Sequence, residues 1–213
     1  MSTPTQAPVA FAALAAQRVP SELAARLARG DHPDTIRAFV FARRTFLAGE
    51  RVDMNDLAAR LGVDRTSLFR WLGNRDALLS EVLWSLAEPT LVRLERACDL
   101  TGAARLTSIL GDFVETLIAA PYFQGFLKKE PTRALRVLTT KDSQVQRRYL
   151  ATVEAMLEAE VAAGSMAFDL ETHDLAYLLV RVSESFTYAD LITGEMPSAS
   201  RARAAFAYVL REG

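Results

Sequence analysis

Apolar side chains recur along this chain every three or four residues, the period of an α-helix, and no convincing alternating pattern predicts a strand. After an alanine-rich arm, Ser21 as N-cap and Gly30 as stop bracket a short helix, and Pro33 with Asp34 opens a longer one to about Ala48. Three short units follow. Asp53 caps a helix through Leu61, Gly62-Val63 turns the chain, Asp64 caps a helix over 65–72, and Gly73-Asn74 precedes another over about 75–87, stopped near Pro89. Further helices are predicted near 90–99, 103–119, 131–139, 142–163, 171–193 and 199–211, with Pro121 and Gly125 interrupting the pattern between the second and third. The pattern makes the protein all-α.

Composition narrows the function classes. The chain has 213 residues, enough for one large domain or two small ones. One Cys and two His exclude a disulfide framework and cannot fill a structural zinc site, so no metal and no cofactor is expected. The glycines form neither a dinucleotide-binding fingerprint nor a phosphate loop. Val9 to Ala16 is apolar, but no Lys or Arg precedes it, and no apolar run approaches the ~20 residues that span a bilayer. A cytoplasmic protein without membrane association is the expectation.

A net charge of -1 offers nucleic acid no bulk attraction, yet it divides into +3 over residues 1–76 and -4 over 77–213. The basic part contains the sharpest motif. Residues 53–72 read D-M-N-D-L-A-A-R-L-G-V-D-R-T-S-L-F-R-W-L, two short helices about a glycine turn, as in a helix-turn-helix. Leu57, Ala58, Leu61, Val63, Leu68 and Leu72 supply an inner face, while Arg65, Thr66, Ser67 and Arg70 point outward from the second helix. The N-terminal part of such a helix meets base edges in the major groove, where Arg pairs with guanine and Ser or Thr with bases or phosphates. By charge alone, the same arginines could form an ordinary solvated face.

The run L-A-x-x-L-G-V-x-x-x-S-L-F-R-W-L-x-N-R-D-A-L-L resembles the N-terminal segment of TetR-family transcription regulators, over about residues 34–83. The resemblance implies a helix-turn-helix DNA-binding domain joined to a larger helical domain for ligand binding and dimerisation. The corresponding division is an arm over 1–32, a DNA-binding domain over 33–80 and a ligand domain over 81–213. It implies a homodimer that binds double-stranded operator DNA and releases it when a small-molecule effector binds. Carried over by position, Arg65 and Thr66 read bases, and Ser67 contacts a base or phosphate. Arg70 and Trp71 lie on the exposed part of the helix, and Arg75 holds a phosphate. Asp53 and Phe69 depart from the family's usual Thr or Ser and Tyr; Phe69 lacks the hydroxyl that reaches the DNA backbone, a role the Trp71 indole could take.

Two clusters in the second domain are candidates for the effector site. Phe113, Leu117, Tyr122, Phe123 and Phe126 gather around the Pro121–Gly125 interruption, where they could line a cavity or simply form core. Tyr177, Arg181, Glu184, Ser185 and Tyr188 make a polar stripe on the 171–193 helix, suited to a ligand's polar head, a subunit interface or solvent. An Arg181–Glu184 ion pair on adjacent turns is expected there. By the resemblance, the last two helices pair between subunits, with Leu175, Val182, Phe186, Phe206, Val209 and Leu210 as interface candidates. An apolar effector with a carbonyl end, such as an acyl compound or lactone, fits both clusters.

Two other readings compete. An enzyme would have to use His173 with neighbouring acids or the isolated Cys98, and neither makes a triad or metal site, so no catalytic residue is assigned. A helical ligand- or protein-binding module that never touches DNA remains the main alternative. The basic run Lys128, Lys129, Arg133, Arg136 and Lys141 is read as a solvated face.

Overall fold

Helix caps divide the chain into its elements. A computed structural model describes residues 11–30 and 32–211, and among these no strand occurs. The arm contains α1 (Phe11–Arg18) and α2 (Glu22–Arg29). Ser21 caps α2 by accepting from the Ala24 amide, and left-handed Gly30 closes it. The first eight residues, whose sequence predicts no ordered element, lie outside the described residues.

The helix-turn-helix unit comprises α3 (Pro33–Leu47), α4 (Met54–Leu61) and α5 (Arg65–Leu72). Asp53 accepts from the amides of Asn55 and Asp56, and Asp64 from that of Ser67, so both short helices start on a carboxylate cap. Gly62 turns between them at φ 68°, a conformation that a side chain would strain. Leu57, Ala58, Leu68 and Leu72 pack inward against Ala38, Ala42 and Phe46 of α3.

The fourth unit differs from its expectation. α6 runs unbroken from Arg75 to Ala97, straight through Pro89. Pro89 cannot donate to the Ser85 carbonyl, and a proline inside a helix costs ~3 kcal/mol. Leu83 and Trp84 before it, with Leu91 and Leu94 after it, are all buried, and that packing outweighs the loss. The helices expected at 75–87 and 90–99 are therefore one, which begins at the helix-turn-helix unit and runs through the second domain.

The second domain contains α7 (Gly102–Ala119), α8 (Pro121–Lys129), α9 (Pro131–Thr139), α10 (Gln144–Ala162), α11 (Thr172–Thr187), the one-turn α12 (Ala189–Ile192) and α13 (Ala199–Val209). Pro121 is the first residue of α8, where its missing N–H costs nothing, so the interruption is itself a helix start. α6, α7, α10, α11 and α13 enclose a core centred on Leu91, Ile109, Leu110, Val153, Leu179 and Phe206. α8 and α9 pack the other way. Phe123, Phe126, Leu127, Val137 and Leu138 share a core with the helix-turn-helix unit, and Phe126 sets its ring edge-on to Phe46 at 5.4 Å.

Leu175, Phe206 and Leu210, expected on a subunit interface, are buried in the chain's own core. Their helices turn them inward, and the outward apolar residues are Tyr177, Leu178 and Tyr208. Among the described residues no helix is long and apolar enough to cross a membrane.

Candidate functional site

The outer face of α5 carries Arg65, Thr66 and Arg70, all exposed. The Arg65 guanidinium lies over the Phe69 ring at 5.2 Å, so Phe69, which has no hydroxyl to offer, orients the arginine beside it. The Ser67 hydroxyl donates to Asp64 at 2.6 Å, which commits its proton to the cap and leaves its lone pairs as acceptors. That bond and the Ser67 amide hold the Asp64 carboxyl below its usual range.

Trp71 and Arg75 sit elsewhere. Trp71 stacks on His32, the N-cap of α3, with ring centroids 4.5 Å apart, and faces a cleft between α2, α5, α9 and the start of α10. Arg75 opens α6, but its guanidinium makes two bonds of 2.6 Å to Glu130 and a third to the Val52 carbonyl. Its side chain is only 11% exposed. The structure thus brings Arg65, Thr66, Ser67 and Arg70 onto one surface, while Trp71 supports α5 from behind and Arg75 is engaged between domains.

Arg75 belongs to a charged cluster. Arg133 pairs with both Asp76 and Glu130, and Arg136 pairs with Asp76 at 2.6 Å. Lys129 donates to the Gly49 carbonyl at 2.6 Å. Three of the five residues in the basic run expected to be a solvated face, Lys129, Arg133 and Arg136, therefore form a clamp from α8 and α9 onto the helix-turn-helix unit and the start of α6. The Arg75 guanidinium, aided by Arg51 and Arg133, holds the Glu130 carboxyl below its ordinary range.

The second domain encloses a largely apolar cavity of ≈ 50 Å³. Its apolar wall includes Trp84, Phe113, Leu117, Tyr122 and Phe123. Its polar end is Gln146, Tyr149, Ser183, Glu184 and Tyr188. The Tyr149 and Ser183 hydroxyls share a hydrogen bond of 2.8 Å, and Arg181 pairs with Glu184 at 3.0 Å. With its amide turned to suit its neighbours, Gln146 accepts from Arg181 and donates to Glu184 at 2.7 Å. Burial pushes the Glu184 carboxyl up to about 7, against the lowering effect of Arg181, and raises Tyr149 and Tyr188 as well.

Both sequence clusters thus meet here, in part. Phe113, Leu117, Tyr122, Phe123, Glu184 and Tyr188 line the cavity. Phe126 packs on α3 instead, Tyr177 and Ser185 are exposed, and Arg181 stands behind Glu184. Sequence reasoning missed Trp84, Gln146, Tyr149 and Ser183, which come from α6, α10 and α11. A buried Trp one turn before a helix proline was the available signal for the first.

Among the described residues no group of His, Cys, Asp and Glu side chains is arranged to hold a metal. His173 is a surface residue 3.4 Å from Glu154.

Residues 101–211 match the family of tetracyclin repressor-like C-terminal domains. No curated protein is significantly similar to the chain. Among solved structures, the transcriptional repressor QsdR of R. erythropolis, from the TetR family, superposes with a TM-score of 0.75 at 28% identity. The match covers 84% of this chain and 97% of that one. A helix-turn-helix unit, a continuous helix from it into a cavity-bearing all-α domain, and these two matches lead to one conclusion: the chain belongs to the TetR family of transcriptional regulators.

Proposed function

We propose that this protein is a ligand-responsive repressor that binds operator DNA through α5 and releases it when a small, largely apolar molecule fills the second domain. Arg65 and Thr66 read base edges, Ser67 accepts or positions, and Arg70 contacts phosphate or base. The homodimer forms through α11 and α13, whose outward Tyr177, Leu178 and Tyr208 offer apolar area. The repressive role of the solved relative supports the direction of regulation.

The observation that carries this reading is the course of α6. One rigid helix bears Arg75 at the DNA-binding end and Trp84 on the cavity wall. The cavity, at ≈ 50 Å³, is far below the ~300 Å³ or more that encloses a typical ligand. An effector therefore has to push its walls apart, and pressure on Trp84 bears on α6, the helix that carries it. The polar end suits a carbonyl: a protonated Glu184 or the Tyr149 hydroxyl can donate to it, while aromatic rings cover the apolar remainder. An acyl compound or lactone has that shape.

Selection of duplexes from a random pool tests the proposal. A regulator of this kind enriches a two-part site whose halves lie about one helical turn apart, as symmetric dimers require. Gel shifts of that site with a panel of acyl compounds and lactones then identify ligands that release it. A chain that enriches no duplex is a binding module of another kind.

A further inference from the structure

We propose that Phe11 to Arg29 forms a strap anchored on the ligand domain that positions the recognition helix, with Arg26 as its positioning residue. This rests on the reading of α5 as the helix that meets DNA.

The anchor is at the α1 end. Ala12 and Ala15 are wholly buried, α1 lying in close contact with α10 and α6. The Phe11 amide donates to Glu95 at 3.0 Å, so a carboxylate from α6 meets the start of α1. Arg18 pairs with Glu158 at 3.3 Å. The Val19 carbonyl then accepts from Arg148 Nε at 2.9 Å, and the Ser21 hydroxyl bonds Glu81. Glu81 and Arg148 are buried and paired at 3.0 Å, so the strap leaves the ligand domain at a fixed point.

The far end meets α5. Its last carbonyls have no helical donors, and the Gly73 amide reaches back only to that of Phe69. Arg26 Nη1 supplies what is missing by donating to the carbonyls of Arg70 and, at 3.2 Å, of Trp71. Glu22 holds the same guanidinium from one turn earlier, 2.9 Å away, and buried Leu23 seats α2. A cation at a helix C-terminus also suits its dipole. The residue so braced includes Arg70, which faces outward from the same turn. The recognition helix is thus held by α3 and α4 on one side and by a segment tethered to the other domain on the other.

The test combines amide hydrogen exchange without DNA and binding of the selected duplex. Arg26→Met removes the far contact, and Ala15→Glu expels the anchor. In both, exchange at Trp71, Leu72 and Gly73 should rise about tenfold, as for loss of a charge-assisted bond, and duplex affinity should fall about as much. Protection of α13, which the strap does not pack against, should not change, and Arg26→Lys should restore part of both losses. Unchanged exchange at those three amides in Arg26→Met overturns the strap, as does an Ala15→Glu protein whose α1 exchanges freely while α5 does not respond. Because exchange is read without DNA, these results stand apart from a failure of the wild type to enrich any duplex, which would instead overturn the reading of α5.

Discussion

Arg75 and Glu130 face each other in a doubly bonded ion pair, both guanidinium nitrogens 2.6 Å from a carboxylate oxygen. The first residue of α6 is thereby fastened to the junction of α8 and α9. In this state the arginine expected to hold a phosphate is held by the protein, so on the proposed docking DNA would have to compete with Glu130 for it. Glu130→Gln should then raise affinity for the selected duplex several-fold at low salt and steepen the salt dependence by about one phosphate equivalent. Fluorescence anisotropy across a salt series measures both, and a weaker or unchanged slope argues against competition. The Glu130 carboxyl is held low by Arg75, so the stabilisation is present above the unfolded carboxylate pKa and lost as pH falls through the folded value. The pair therefore persists at neutral and mildly acidic pH.

Glu184 has the opposite sign. Its folded pKa is pushed up to about 7, so between the unfolded carboxylate value and 7 the folded chain holds a proton that the unfolded chain has lost. Stability should fall as pH rises through that window. Thermal unfolding at pH 5 and pH 8 should show a lower Tm at pH 8 in the wild type, and Glu184→Gln should shrink the difference. A variant with the same pH response as the wild type would place the titration elsewhere.

Much of this arrangement could be read from local signals. Asp53, Gly62, Asp64, Gly73 and Asn74 cap or turn at the expected positions, because a cap depends on residues two or three apart. What escaped depends on distance. Glu130 is 55 residues from Arg75, and no spacing rule joins them. Pro89 is locally a breaker, and only the burial of Leu91 and Leu94 by α7 and its neighbours shows why the helix continues. Of the polar stripe along α11 and its C-cap, the cavity meets only the C-terminal part, which separates Glu184 and Tyr188 from exposed Tyr177. Trp71 looked exposed because its partner, His32, is the N-cap of α3, two helices earlier in the chain.

Arg148 and Glu81 form a buried pair, with the guanidinium centred 5.8 Å from the Trp84 ring. Removing one partner strands the other. Arg148→Met should therefore cost about 3–5 kcal/mol in chemical denaturation. The double variant Arg148→Met/Glu81→Leu should recover much of the loss, because neither charge then needs desolvation. A double variant no more stable than the single one would show that the pair's worth lies in Val19 and Ser21, the strap contacts, and not in charge compensation.

On the proposed function, α5 docks on DNA through Arg65, Thr66 and Arg70. The most direct test of that docking is the salt dependence of binding to the selected duplex, wild type against Arg65→Ala/Arg70→Ala, with dimerisation checked by sedimentation. The account predicts steep weakening with salt in the wild type, and in the double variant a loss of ~2 kcal/mol or more, together with a shallower slope and an intact dimer. Equal affinities and equal slopes would contradict it.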